Sequence, residues 1–125
     1  MRPLLIISAV LLAAALPAAA LASRAPSRDE RAQLRQAVKS SELVPRAVRR
    51  GHFELSKPRI STEGPWARAA IVPTGAYSDP FDPSRGLFKH GRKGWRLVTV
   101  GTSGIGCSKP RLPRAVRKDL KLRCP

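Results

Sequence analysis

The sequence predicts an α+β fold: an N-terminal helix packed on an antiparallel sheet of three to five strands, with a short C-terminal helix tied by a disulfide. Three observations carry this prediction. Apolar residues recur at helical spacing near both ends, in "RDERAQLRQAVK" and in "LPRAVRKDLKL". Between them lie short runs of alternating or small apolar residues bounded by glycine and proline, which is the pattern of strands. The only two cysteines, Cys107 and Cys124, both sit in the final stretch "GTSGIGCSKPRLPRAVRKDLKLRCP".

The first 22 residues read as a targeting segment. Arg2 gives a positive start, an apolar run follows from Leu4 to Leu16, and Pro17 breaks it. Ala20 and Ala22 then supply the small-x-small pattern of a signal peptidase site, with Ser23 as the first residue after cleavage. The chain therefore divides into a signal peptide, 1–22, and a single small α+β domain, 23–125, with no transmembrane helix once the signal is removed. The alternative is an uncleaved anchor, since roughly 20 apolar residues span a bilayer. Export fits the cysteine count. Paired cysteines persist as disulfides in oxidising compartments, and two cysteines allow one intramolecular pairing, Cys107–Cys124. Closing that loop stabilises the fold by roughly 3 kcal/mol in the chain-entropy picture. The expected location is secreted or extracytoplasmic, in association with the cell envelope.

The leading helix is expected from about Arg28 to Lys39. Ser27 and Glu30 have the spacing of a capping box, and Asp29 and Glu30 suit the positive end of a helix. Leu34, Ala37 and Val38 form one apolar stripe, small and alanine-rich, better suited to a core than to a membrane surface. In "SELVPRAVRRG", Pro45 is placed to start a further helical turn and Gly51 to stop it. "HFELSKPRIS" reads as a strand with an edge or bulge at Pro58. "WARAAIVP", Trp66 to Pro73, is a second strand, and "TGAYSDPFDPSRG" a loop. Leu87 to His90 and Trp95 to Val100 form a hairpin across Gly91 to Gly94, with Trp95, Leu97 and Thr99 expected on one face and Arg96, Val98 and Val100 on the other. In the tail, Pro113 has the preferred place at a helix start, and Leu112, Val116 and Leu120 make one apolar line.

No constellation of residues announces a reaction. Ser103 in "GTSGIG" lacks the spacing of a nucleophile elbow, because Gly104 comes one position early. Asp79 and Asp82 precede prolines in a turn-forming stretch and supply too few oxygens for a calcium cage. His52 and His90 stand beside Gly51 and Gly91, as loop residues do, and Glu54 and Glu63 have no evident partner. No catalytic residue, metal ligand or cofactor is expected, and the sequence leans away from an enzyme.

Charge is the most pronounced property. The formal net charge is +16, and arginine outnumbers lysine 17 to 7. Such a chain attracts polyanions. Its candidate partners are anionic envelope polymers, anionic lipid or an acidic protein; nucleic acid is disfavoured by export. Trp66 and Trp95 each neighbour an arginine, Arg68 and Arg96, and these four residues are the candidate anion-binding set, although both rings are better placed as core residues of a small sheet. The competing explanation is compositional: the chain is rich in Arg, Ala, Pro and Gly and lacks Asn, so arginine would be the default surface residue. The predicted function is a non-enzymatic exported basic module that interacts with anionic envelope material or a protein partner. A small enzyme such as a hydrolase, or an extracellular nucleic-acid binder, is the alternative.

Three segments, "RISTEGPWARAAIV", "GWRLVTVGTSGIGC" and "LPRAVRKDLKLRCP", resemble in this order a group of small exported proteins of high-GC Gram-positive bacteria. The resemblance implies export and the Cys107–Cys124 pair. It implies no catalytic or binding residue.

Overall fold

The computed structural model describes residues 23–79 and 81–125; the predicted signal segment and most of its cleavage site, Ala20 and Ala22, lie outside the described residues. Helix α1 (Arg28–Lys39) and the single turn α2 (Arg46–Arg49) precede strands β1 (Phe53–Ile60) and β2 (Trp66–Pro73). A 3-10 turn (Gly75–Tyr77), strands β3 (Ser84–Gly91) and β4 (Gly94–Gly101) and helix α3 (Arg114–Asp119) complete the chain. The strands form one antiparallel meander in the order β1-β2-β3-β4.

Helix α1 starts where its cap places it. Ser27 Oγ accepts from the Glu30 amide and the Glu30 carboxylate accepts from the Ser27 amide, which satisfies two donors that the first turn leaves open. Leu34, Ala37 and Val38 are buried, and α1 lies chiefly against β4. Val44 and Val48 extend this apolar surface through α2. Beneath them lie Phe53 and Ile60 of β1, Ala67, Ala69 and Ile71 of β2, Phe88 of β3 and Leu97 of β4, which together form the main core.

The tail occupies the opposite face. Leu112, Val116 and Leu120 join Ile105 and Leu122 over Trp66 of β2 and Leu87 of β3 in a second, smaller core. The disulfide between Cys107 and Cys124, with Cα atoms 5.6 Å apart, ties the exit of α3 to the loop after β4. Gly106 makes this packing possible: its φ is +81°, and a side chain there would press on Leu112 and Leu122. The Asp119 carboxylate adds a polar clasp. It accepts from the Ser61 hydroxyl at 2.7 Å and the Thr62 amide at 2.8 Å, which joins α3 to the turn between β1 and β2.

Two bulges set which side chain faces where. In β1 the register shifts between Ser56 and Arg59, with Lys57 at φ +49° and Pro58 buried, as the proline led us to expect. In β3–β4 the shift falls between Leu87 and Phe88, which pair with Thr99 and Leu97 and leave Val98 as the extra residue. This second bulge corrects strict alternation along β4. Val98 packs on the tail core, whereas Val100 joins Trp95 and Leu97 on the α1 side. The loop expected before the hairpin is also shorter than its prolines and glycines suggested, because β3 already begins at Ser84 and pairs there with Ile71.

Candidate anion-binding cleft

The β1 bulge and the β1–β2 turn together place Arg59 directly opposite Arg68. One pair further along, Ser56 of β1 and Arg85 of β3 stand on either side of Ala70 of β2. Ala67, Ala69 and Ile71 belong to the α1-side core, so alternation turns Arg68 and Ala70 toward the other face. Three guanidinium-bearing residues on three consecutive strands thus share the part of the sheet that the tail leaves uncovered.

Two of the three are fixed by backbone carbonyls. Arg59 donates through Nε to Ser23 Oγ at 3.1 Å and through Nη2 to the Ser23 carbonyl. Arg68 donates through Nε to the carbonyl of Leu120, at the C-terminal end of α3, and through Nη1 to the Lys57 carbonyl at 3.5 Å. A cation is favoured at that end of a helix. Ser23 itself is buried, and Arg24 exchanges two backbone hydrogen bonds with Ile60, so the N-terminal strand-like segment closes the β1 edge. Among the described residues, none of Arg59, Arg68 and Arg85 makes an ion pair. Burial, then the charges of Arg85 and Arg59, push the pKa of Arg68 down from its ordinary value.

Around these groups lie two adjoining cavities. The smaller, about 200 Å³, is lined by Ser56, Lys57, Arg68, Ala70, Arg85 and Lys121. The larger, about 570 Å³, extends past Arg59 and Arg31 to Ser23 and Asp119. They share Lys57, Arg68 and Lys121. Asp119 is the one carboxylate among the lining residues of either, and its Oδ2 already accepts from Ser61 and Thr62.

The four residues singled out in the sequence do not form one site. Trp66 is only 9% exposed and lies in the tail core, with the Lys89 ammonium 5.1 Å from its ring centroid. Trp95 is half-buried against the α1-side core and meets His90 edge-on, with centroids 5.0 Å apart. Arg96 is exposed on β4 in the row Trp66–Lys89–Arg96, whereas Arg68 stands on β2 in the next row on that face, opposite Leu87, so the two arginines lie two strands apart. Arg68 is the one member of the set in the cleft. Its partners Arg59 and Arg85 are strand neighbours that only the pairing register brings near, and folding the β1–β2 hairpin about residues 61–66 on paper would have found the first of them.

The other candidates are scattered. His52 stacks on Tyr77 at 4.6 Å and Ser103 is exposed in the loop after β4, both at one end of the sheet; His90 is at the other end. Asp79 and Asp82 are exposed, and among the described residues no group of three or more His, Cys, Asp or Glu side chains is placed to hold a metal. Among the described residues no helix is long and apolar enough to cross a membrane. The chain matches no family model, no curated protein and no solved structure. Its chemistry is therefore read from the site alone.

Proposed function

We propose that this chain works outside the cytosol as a non-enzymatic basic module that holds anionic envelope material in the arginine cleft. One observation carries the reading: Arg59, Arg68 and Arg85 are gathered on one face of the sheet, and among the described residues no carboxylate is paired to them. Like charges repel, so a fold that gathers them, and anchors two by carbonyl hydrogen bonds, has prepared a place for negative charge. The disulfide suits an oxidising compartment. Burial of Trp66 counts against a base-stacking nucleic-acid binder.

The test compares two charge-matched triple variants for retention on an immobilised polyanion, a polyglycerol phosphate, over a salt gradient. R59Q/R68Q/R85Q removes the cleft charges. R46Q/R92Q/R114Q removes three exposed charges elsewhere. The parent protein is expected to elute later than either, and the cleft variant well before the surface variant, with binding falling as salt rises. R85Q alone is the control for folding, because among the described residues the Arg85 side chain makes no hydrogen bond or ion pair. Equal weakening by both triples would leave arginine as a diffuse surface charge and end the reading.

A further inference from the structure

Resting on the anion-binding reading, the geometry points to a ligand class: we infer that the small cavity floored by Ala70 is a pocket for a terminal phosphate monoester, bounded by Ser56, Arg68 and Arg85 with Lys57 and Lys121 at its rim.

The pocket exists because residue 70 is an alanine. Directly opposed side chains on neighbouring strands have Cβ atoms about 5 Å apart. In the row Ser56–Ala70–Arg85 the central side chain is a methyl, so a hydroxyl and a guanidinium flank an open floor. The preceding residue on the same face, Arg68, forms one wall.

Its charge suits a dianion better than a carboxylate. Four cationic side chains line the cavity and no carboxylate does. A phosphate monoester brings about −1.5 to −2 charge and three acceptor oxygens around a tetrahedron. A carboxylate is planar and is best held by one guanidinium fork. Arg68 has committed its Nε and one Nη1 hydrogen to the carbonyls of Leu120 and Lys57, so that fork is not free. What remains are the Arg85 guanidinium, the Lys57 and Lys121 ammonium groups and the neutral Ser56 hydroxyl, donors from several directions and more than one planar carboxylate can accept. The size also selects. At about 200 Å³ the cavity takes one group, and the adjoining cleft of about 570 Å³ receives the rest of the ligand beside Arg59 and Arg31.

The experiment is calorimetric titration at constant ionic strength with inorganic phosphate, glycerol phosphate, dimethyl phosphate and acetate, from pH 5 to pH 8. Phosphate and the monoester are expected to bind, the monoester with affinity rising through about pH 6 as its second proton leaves. Dimethyl phosphate and acetate are expected to bind about tenfold more weakly or not at all. Ala70→Leu fills the floor and leaves every charge in place; it should lose about tenfold in monoester affinity. Ser56→Ala should weaken the monoester severalfold and serves if Ala70→Leu does not fold. Equal affinity for acetate, no rise through pH 6, or unchanged binding in both variants would overturn the pocket. Loss of polyanion retention with monoester binding intact would instead overturn only the envelope-polymer reading.

Discussion

On one face of the sheet, α1 and α2 close over a core that draws on every strand, from Phe53 on β1 to Leu97 on β4. On the other, the tail covers only the patch around Trp66, Leu87 and Val98, and the rest is left to Arg59, Arg68, Arg85 and Ala70. The contrast sets the face that carries most of the apolar core apart from the face proposed to bind anions. A capped helix of 12 residues buries its own stripe and needs no staple. Helix α3 has six residues, too few to persist alone. It is held by an apolar line, by Asp119 and by the disulfide. Where that attachment stops, none of the described helices covers the sheet, and it can present charge. The faces meet at Leu120, whose side chain is buried in the tail core and whose carbonyl holds Arg68.

The largest expected effect lies on the α1 side. Phe88 is fully buried beneath α1. Phe88→Ala should cost about 3–5 kcal/mol, measured by urea unfolding, and should unfold both faces together. A loss below about 1 kcal/mol, within the range of ordinary surface changes, would mean that this face is not the main source of stability. Next comes the staple. Replacing Cys107 and Cys124 with alanine should cost about 3 kcal/mol, from the loop of 17 residues it opens. Hydrogen exchange should then rise at the amides of Leu120 and Leu122, which donate to Val116 and Arg117, while the α1 amides stay protected. Equal loss in α1 would erase the distinction between the faces. Because Leu120 anchors Arg68, the same variant should also bind polyanion severalfold more weakly.

Much of this layout was legible in the sequence, and the exceptions share a cause. The bounds of α1 and β2, the bulge near Pro58 and the line Leu112, Val116, Leu120 follow from local signals: a cap, a periodicity, a proline. What depends on cross-strand register was not legible. Val98 carries no mark of a bulge, so alternation misplaced Thr99 and Val100. Pro83 and Gly86 look like loop residues, yet Gly86 is buried opposite Val100 because a side chain there would press on Leu97 and Ile71. The cleft fails for the same reason. Arg68 could be singled out, but Arg59 and Arg85 are neighbours only across strands, and sequence proximity paired Arg68 with Trp66 instead.

A smaller effect would sharpen the account of the tail. Asp119→Ala removes the acceptor that joins α3 to Ser61 and Thr62, and hydrogen bonds to a charged group are worth about 1.5–3 kcal/mol. The loss should come in below that of the disulfide. Exchange should rise at the Thr62 amide and in α3, with α1 unaffected. If Asp119→Ala costs more than the double cysteine variant, the polar clasp, and not the staple, is the chief attachment of the tail.

The smallest effect concerns the start of α1. Arg24 grips Glu30 through two hydrogen bonds of 2.6 and 2.7 Å, and the Ser27 amide adds a third at 3.0 Å. The Arg24 contact first, then the Ser27 amide, pulls the Glu30 carboxyl from its ordinary 4.5 down to about 2. A depressed carboxylate pKa stabilises the fold above the unfolded value, and that contribution is lost as pH falls from about 4.5 toward 2. The Arg24 side chain is half exposed, so solvent screens the pair and holds its worth to about 1 kcal/mol or less. Glu30→Gln should therefore be slightly less stable than the parent at neutral pH, and the gap should close through acid titration. Tail exchange should not change, because this pair belongs to the helical face and to the β1 edge. A gap that stays constant down to pH 2 would show that the Glu30 charge is not what stabilises the start of α1, and a loosened tail would show that the two coverings of the sheet are coupled more tightly than their separate cores suggest.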